Sequence, residues 1–155
     1  MQKISQDILE LKLTDQNSQE VSLKDLIKDY LVIYFYPKDD TPGCTKEACS
    51  FRDANLEMQK LGVGVVGISK DSSKSHHKFS EKFALNFPLL SDLEHKLQDA
   101  FGVWQKKKFM GREYFGTNRS TFVINASGEI VLEYLKVKPE GHAEEVLKDI
   151  KNLMN

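Results

Sequence analysis

The chain has 155 residues, of which 40% are hydrophobic and 29% charged, the balance of an ordinary folded protein in water. At this length roughly 70% of the unfolded surface is buried on folding, so a single domain over residues 1–155 needs no disulfide or metal to hold a core. Lysine and arginine number 22 against 23 aspartates and glutamates, a net charge of -1, which argues against a nucleic-acid partner bound through bulk charge.

The longest apolar run, Tyr30 to Tyr36, stops at Pro37 and falls far short of the ~20 residues that span a bilayer. Met1 to Glu10 has no long apolar stretch. The expectation is therefore no signal peptide, no membrane partner and a cytoplasmic location. Two cysteines in a reducing compartment are seldom a structural staple. Inert thiols, metal ligands and redox chemistry remain open for them.

In chain order, Leu11 to Thr14 and Val21 read as short strands around the polar turn Asp15 to Ser18. Leu31 to Tyr36 is an unbroken aliphatic and aromatic run, the pattern of a strand buried on both faces. Cys44, Ala48, Phe51, Ala54, Met58 and Leu61 recur at helical spacing, and Gly62 ends that helix. Val63 to Ser69 is a second buried strand. Ser72 or Ser73 caps a helix with the stripe His76, Phe79 and Phe83. Leu93, Leu97 and Phe101 suggest a short helix, and Lys106 to Gly116 a polar loop or ribbon. Thr121 to Ile124 and Ile130 to Val137 flank the turn Asn125 to Gly128 as a hairpin. Ala143, Val146, Leu147, Ile150 and Leu153 line a closing helix. A strand-helix-strand unit is parallel with a right-handed crossover, and the hairpin adds antiparallel strands. The fold class is α/β, a mixed central sheet with helices on both faces.

The stretch from Tyr34 to Cys49 carries the chemistry. It leaves a buried strand, turns, and opens a helix. Thr41 suits the N-cap and Pro42 the first helical position, so Gly43 and Cys44 fall in the first turn. Amides there lack partners within the helix, and the positive end of the helix dipole lies beside the sulfur. Both favour a thiolate, and cysteines in such surroundings are reactive. The plainer reading makes Cys44 a small core residue on the apolar stripe. No metal site is expected, because no histidine lies near the two cysteines at ligand spacing.

Cys49 lies five residues on. In an ideal helix α-carbons so spaced are about 8.6 Å apart, whereas a disulfide needs less than about 7 Å. If Cys44 and Cys49 pair during function, the first turns must unwind. The alternative is that Cys49 is inert filler.

Pro37-x-x-x-Thr41-x-x-Cys44 resembles the peroxiredoxin active-site signature. The run Thr41-Pro42-Gly43-Cys44-Thr45-Lys46-Glu47-Ala48-Cys49-Ser50-Phe51-Arg52-Asp53 resembles the bacterioferritin comigratory protein, or peroxiredoxin Q, subgroup. Arg119-Ser120-Thr121-Phe122-Val123-Ile124 is similar to the segment that bears the family's catalytic arginine. The similarity runs from about Leu11 to the closing helix. Asn125 departs from it, standing in a turn where the family commonly has aspartate.

The resemblance implies a thioredoxin-like fold and a thiol-dependent peroxidase without a cofactor, acting on hydrogen peroxide and organic hydroperoxides. Cys44 would be the peroxidatic nucleophile. Arg119 would supply a permanent positive charge near the sulfur and the leaving oxygen. Thr41 would position the peroxide or cap the helix with the same hydroxyl, and Gly43 would offer its amide. Pro37 would pack against the sulfur and limit water, or simply end the strand. Glu47 would orient Arg119, or be a solvated helix residue. Cys49 would be the resolving cysteine of an intramolecular disulfide, reopened by thioredoxin or a similar dithiol. With both cysteines in one chain, a monomer suffices.

His76, His77, His95 and His142 are expected at the surface or its edge, and Lys106-Lys107-Lys108 as a solvated run. Trp104 and Phe101 are expected in or near the core. Two rival functions stand beside the peroxidase. A thioredoxin-type disulfide reductase favours cysteines two residues apart and a proline where Arg119-Ser120 stand. A redox-regulated binding module would form the disulfide without turnover.

Overall fold

The computed structural model describes residues 2–155. In chain order the elements are α1 (Gln6–Glu10), β1 (Leu13–Asp15), β2 (Glu20–Val21), α2 (Leu23–Leu26), β3 (Tyr30–Phe35), α3 (Pro42–Lys60) and β4 (Val63–Ser69). Then come α4 (Ser73–Lys82), β5 (Leu89–Ser91), α5 (Lys96–Ala100), β6 (Trp104–Phe109), β7 (Arg112–Thr117), β8 (Ser120–Asn125), β9 (Ile130–Tyr134) and α6 (His142–Met154).

The all-apolar β3 has no face fit for water, so it lies inside a seven-stranded sheet of order β2-β1-β5-β4-β3-β8-β9. Successive side chains of a strand point to opposite faces, and β3 feeds a core on each. Val32, Tyr34 and Tyr36 pack with Cys44, Ala48, Phe51 and Met58 of α3, Phe79 of α4 and Val146 and Ile150 of α6. Leu31, Ile33 and Phe35 pack with Leu9 of α1, Leu23 of α2 and Leu97 of α5.

Pairing along the sheet sets where the loops go. β3, β4 and β5 are mutually parallel, with α3 and α4 as crossovers. β8 runs antiparallel to β3, in register Phe35↔Ser120. The end of β3, the end of β4 and the start of β8 therefore meet at one edge of the sheet. The helix-flanked mixed sheet and the βαβ unit are as the sequence predicts.

Three features differ from the sequence reading. β5 is an added parallel strand, only three residues long and fully buried, too short to produce a pattern. α1 and α2 are single turns capped by Ser5 and Ser22, equally short. Leu93 is 58% exposed and precedes α5 instead of lining it. Lys106 to Gly116, by contrast, is the ribbon that the sequence reading allowed, β6 paired with β7, and its turn places Met110 and Gly111 at positive φ. The hairpin turn is as expected, and the Asn125 side chain accepts from the amides of Ser127 and Glu129. Gly128 there has φ +83, a conformation glycine adopts without strain.

Candidate active site

α3 begins where the loop from β3 turns back over the sheet edge. Asp40 takes φ +56 to make that turn. Thr41 then sits at the N-cap in an extended conformation and Pro42 opens the helix. The Thr41 hydroxyl makes no cap bond, however; it donates to the Lys38 carbonyl at 2.9 Å. The first helical hydrogen bond is Thr45 N–H to Thr41 C=O, at 2.8 Å. The amides of Gly43 and Cys44 thus precede the helical ladder and have no side-chain cap, the arrangement of an anion-receptive helix start.

Cys44 is buried, with 1% of its surface exposed, and its thiol is free. Arg119 reaches it from the opposite direction. Because β8 pairs with β3 up to Phe35↔Ser120, the residue just before β8 lies over the start of α3. One guanidinium nitrogen of Arg119 donates to Cys44 Sγ at 3.2 Å. The other terminal nitrogen donates to Glu47 Oε1 at 2.7 Å. Glu47 is fully buried one turn after Cys44, and the Arg119 side chain is 17% exposed. The planar fork of a guanidinium suits two simultaneous acceptors.

Burial pushes the Glu47 carboxyl up to about 7, against the opposing charge and hydrogen bond of Arg119. Its second oxygen is buried without a protein partner. Burial works to lower the Arg119 value, but Glu47 and Cys44 outweigh it and hold the guanidinium more firmly charged than usual. A Cβ added to Gly43 would stand 3.2 Å from the Arg119 nitrogen and 3.5 Å from Pro139. Glycine therefore lets Arg119 lie flat across the helix start.

The remaining predicted site residues divide. Cys49 is half-buried and also free, with α3 continuous through both cysteines. It lines a groove of about 440 Å³ together with Lys46, Ser50, Asp53, Glu57 and Leu147. Pro37 is exposed just beyond β3, while Cys44 is enclosed in the cluster that holds Tyr34, Tyr36, Ala48 and Phe51. Glu47 is not solvated, since Arg119 holds it inside.

The expectation for the histidines is corrected for two of them. His76 and His142 are buried. His76 lies between Asp39 and the Leu90 carbonyl, and His142 between Thr121 and Glu145. With both ring nitrogens partnered, neither ring needs water. The helical stripe His76, Phe79, Phe83 already placed His76 on the inward face. Lys107 also departs from a solvated run. Its ammonium donates to the Thr117 carbonyl at 2.6 Å, and burial followed by the nearby Arg119 charge lowers its pKa. Phe101 is buried and Trp104 half-buried, stacked on His95.

The AhpC/TSA family model matches residues 4–133. The chain belongs to the AhpC/TSA family of peroxiredoxins. This peroxiredoxin is 46% identical to the Peroxiredoxin Bcp of Bacillus subtilis over 151 residues, covering 97% of this chain and 96% of that protein. It is 44% identical to the Peroxiredoxin Bcp of Escherichia coli over 139 residues, 90% and 89% of the two chains. The bacterioferritin comigratory protein of Xanthomonas campestris, whose structures were studied for its alkyl peroxide reduction activity, superposes with a TM-score of 0.93 at 38% identity, covering 99% and 98% of the chains. A cysteine-to-serine mutant of Xylella fastidiosa PrxQ gives 0.95 at 36% identity, covering 99% and 96%. The fold is thioredoxin-like, and this peroxiredoxin is a thiol-dependent peroxidase of the Bcp and peroxiredoxin Q type. Among the described residues, no helix is long and apolar enough to cross a membrane.

Proposed function

We propose that Cys44 is the peroxidatic cysteine, Cys49 the resolving cysteine and Arg119 the residue that activates both sulfur and peroxide. One observation carries this reading: Arg119 spans Cys44 Sγ and Glu47 Oε1 at the uncapped start of α3. The Cys44 thiolate attacks the outer oxygen of a hydroperoxide ROOH. The S–O bond forms as the O–O bond breaks, so the transferred hydroxyl gives Cys44 sulfenic acid directly, and the alkoxide leaves and takes up one proton to become ROH. Arg119 and the amides of Gly43 and Cys44 face the charge that develops on the departing oxygen. The Thr41 hydroxyl keeps lone pairs free to accept from the peroxide while it donates to Lys38.

The Cys49 thiol then attacks the sulfenic sulfur, forming the disulfide and releasing water. Both residues lie on continuous helix in the dithiol form, so the first turns of α3 unwind for this step. A dithiol reductant, thioredoxin by preference, restores both thiols by exchange and leaves oxidised. Cys49 and its groove give that reductant an open approach that the enclosed Cys44 lacks. Hydrogen peroxide and organic hydroperoxides are the substrates. The cycle needs no metal or cofactor and is complete within one monomer, which we place in the cytoplasm as a single domain.

The test is mass analysis with turnover. Peroxide-treated protein is expected to lose two hydrogens, Cys44→Ser to show no steady-state peroxide consumption with thioredoxin, its reductase and NADPH, and Cys49→Ser to stop after one equivalent. Retained turnover in Cys44→Ser would overturn the assignment.

A further inference from the structure

A second polar cluster sits at the same sheet edge, built around Asp39. Asp39, in the loop between β3 and α3, is buried and fully engaged. Its Oδ1 accepts from the Tyr36 hydroxyl at 2.5 Å. Its Oδ2 accepts from the Ser75 hydroxyl at 2.7 Å and faces His76 Nδ1 at 2.8 Å. Its backbone N–H donates to Asp71 Oδ2 at 2.8 Å, which also accepts from Ser69 at 2.7 Å. The far side of the His76 ring meets the Leu90 carbonyl at 3.1 Å. Both ring nitrogens of His76 are thus held by oxygens, Nδ1 by Asp39 and Nε2 by the Leu90 carbonyl.

Asp39, Asp71 and His76 converge closely enough to suggest a metal site. The oxygens that converge are already taken up by protein donors, which marks a closed hydrogen-bonded network. Burial first and the Asp39 charge second hold the Tyr36 hydroxyl protonated, so it stays a donor. Among the described residues, no hydrogen bond joins this network to Cys44 or Arg119. The network joins the ends of β3 and β4, α4 and β5 to one loop residue, two positions before Thr41. Next to it, Asp40 is tied to Lys82 of α4 at 2.8 Å.

We infer that the Asp39–His76 pair is a clamp that fixes the loop carrying Thr41 in its peroxide-reactive form and holds the start of α3 against unwinding. Asp39 and His76 are positioning residues, acting through the loop. With the clamp intact, freedom gained on unwinding is confined to the segment after Asp40. Without it, residues 37–40 would join the mobile segment, and chain entropy would favour the unwound, disulfide-bonded form. This rests on the Cys44–Cys49 pairing proposed above.

The experiment reads two quantities in wild type, Asp39→Ala, His76→Ala, the double variant and Asp39→Asn: the rate of Cys44 oxidation by hydrogen peroxide, and the dithiol–disulfide ratio in dithiothreitol buffers. Asp39→Ala is expected to slow oxidation by about 10-fold or more, as misplacement of reacting groups does. It should move the ratio ~10-fold toward disulfide, about 30 mV. His76→Ala should do the same, with the double variant adding less than about 2-fold, since the two act as one unit. Asparagine can keep an oxygen toward Tyr36 and turn its amide toward Nδ1 of a neutral ring, so Asp39→Asn should stay within about 3-fold of wild type. Leu23→Ala, which opens a cavity in the opposite core, should move neither quantity. Should His76→Ala fail to fold, Tyr36→Phe removes one hydroxyl from the same carboxylate and is expected to shift both in the same direction. An unmoved ratio and rate in Asp39→Ala, or equal shifts in Leu23→Ala, would overturn the clamp. A wild type that forms no internal disulfide refutes the cysteine pairing instead, and the Cys44 oxidation rate still decides the clamp.

Discussion

Replacing Glu47 by glutamine separates the charge of this residue from its hydrogen bond. The amide oxygen can still accept from Arg119, but it cannot ionise. In the native protein, burial raises the Glu47 carboxyl from an ordinary 4.5 to about 7. Between those values the folded chain keeps a proton that the unfolded chain releases. Stability from this group is therefore fully present below pH 4.5 and lost as pH rises through 7. A gap of about 2.5 pH units at 1.36 kcal/mol each corresponds to about 3 kcal/mol. The assay is urea denaturation of wild type and Glu47→Gln from pH 4 to 8. Groups such as Asp92, raised by burial, and His142, lowered by it, titrate in both proteins and cancel in the difference. Wild type should lose a few kcal/mol relative to the variant across the range, most of it between pH 4.5 and 7. Curves that stay parallel to within about 1 kcal/mol would refute the reasoning, because they would mean that Arg119 compensates the buried charge in full.

Arg119→Lys keeps a positive charge but replaces a fork that serves Cys44 and Glu47 together. Stopped-flow oxidation by peroxide should slow by about 10-fold, with Arg119→Ala nearer 10²-fold, the cost of losing a preorganised donor. Gly43→Ala should part stability from activity. Alanine raises helix propensity by up to about 1 kcal/mol, while its methyl crowds the guanidinium, so the melting point should hold or rise as the peroxide rate falls several-fold.

The elements that the sequence makes legible are those with long apolar patterns. β3 and β4 are continuous runs, and α3 keeps its stripe from Cys44 to Leu61. Cys44, Glu47 and Arg119 were readable from two motifs, whereas their mutual distance was not, because it depends on the register of β8 against β3. β5, α1 and α2 span too few residues to be periodic. At His76 and His142 residue type points to the surface, while burial is permitted by hydrogen-bond partners of which Asp39, Leu90 and Thr121 lie on other segments of the chain. Asp39 sat inside the recognised motif, yet its role needs Ser75, His76 and Asp71, which only the sheet assembles. Thr41 occupied the expected position with a different partner for its hydroxyl.

Cys44 and Arg119 are separated by 75 positions along the chain, and only the docking of β8 beside β3 unites them. A growing polypeptide that has left the ribosome as far as α3 thus carries an unremarkable cysteine. The activation proposed for Cys44 therefore becomes available only once β8 has paired with β3 and brought Arg119 to the sulfur.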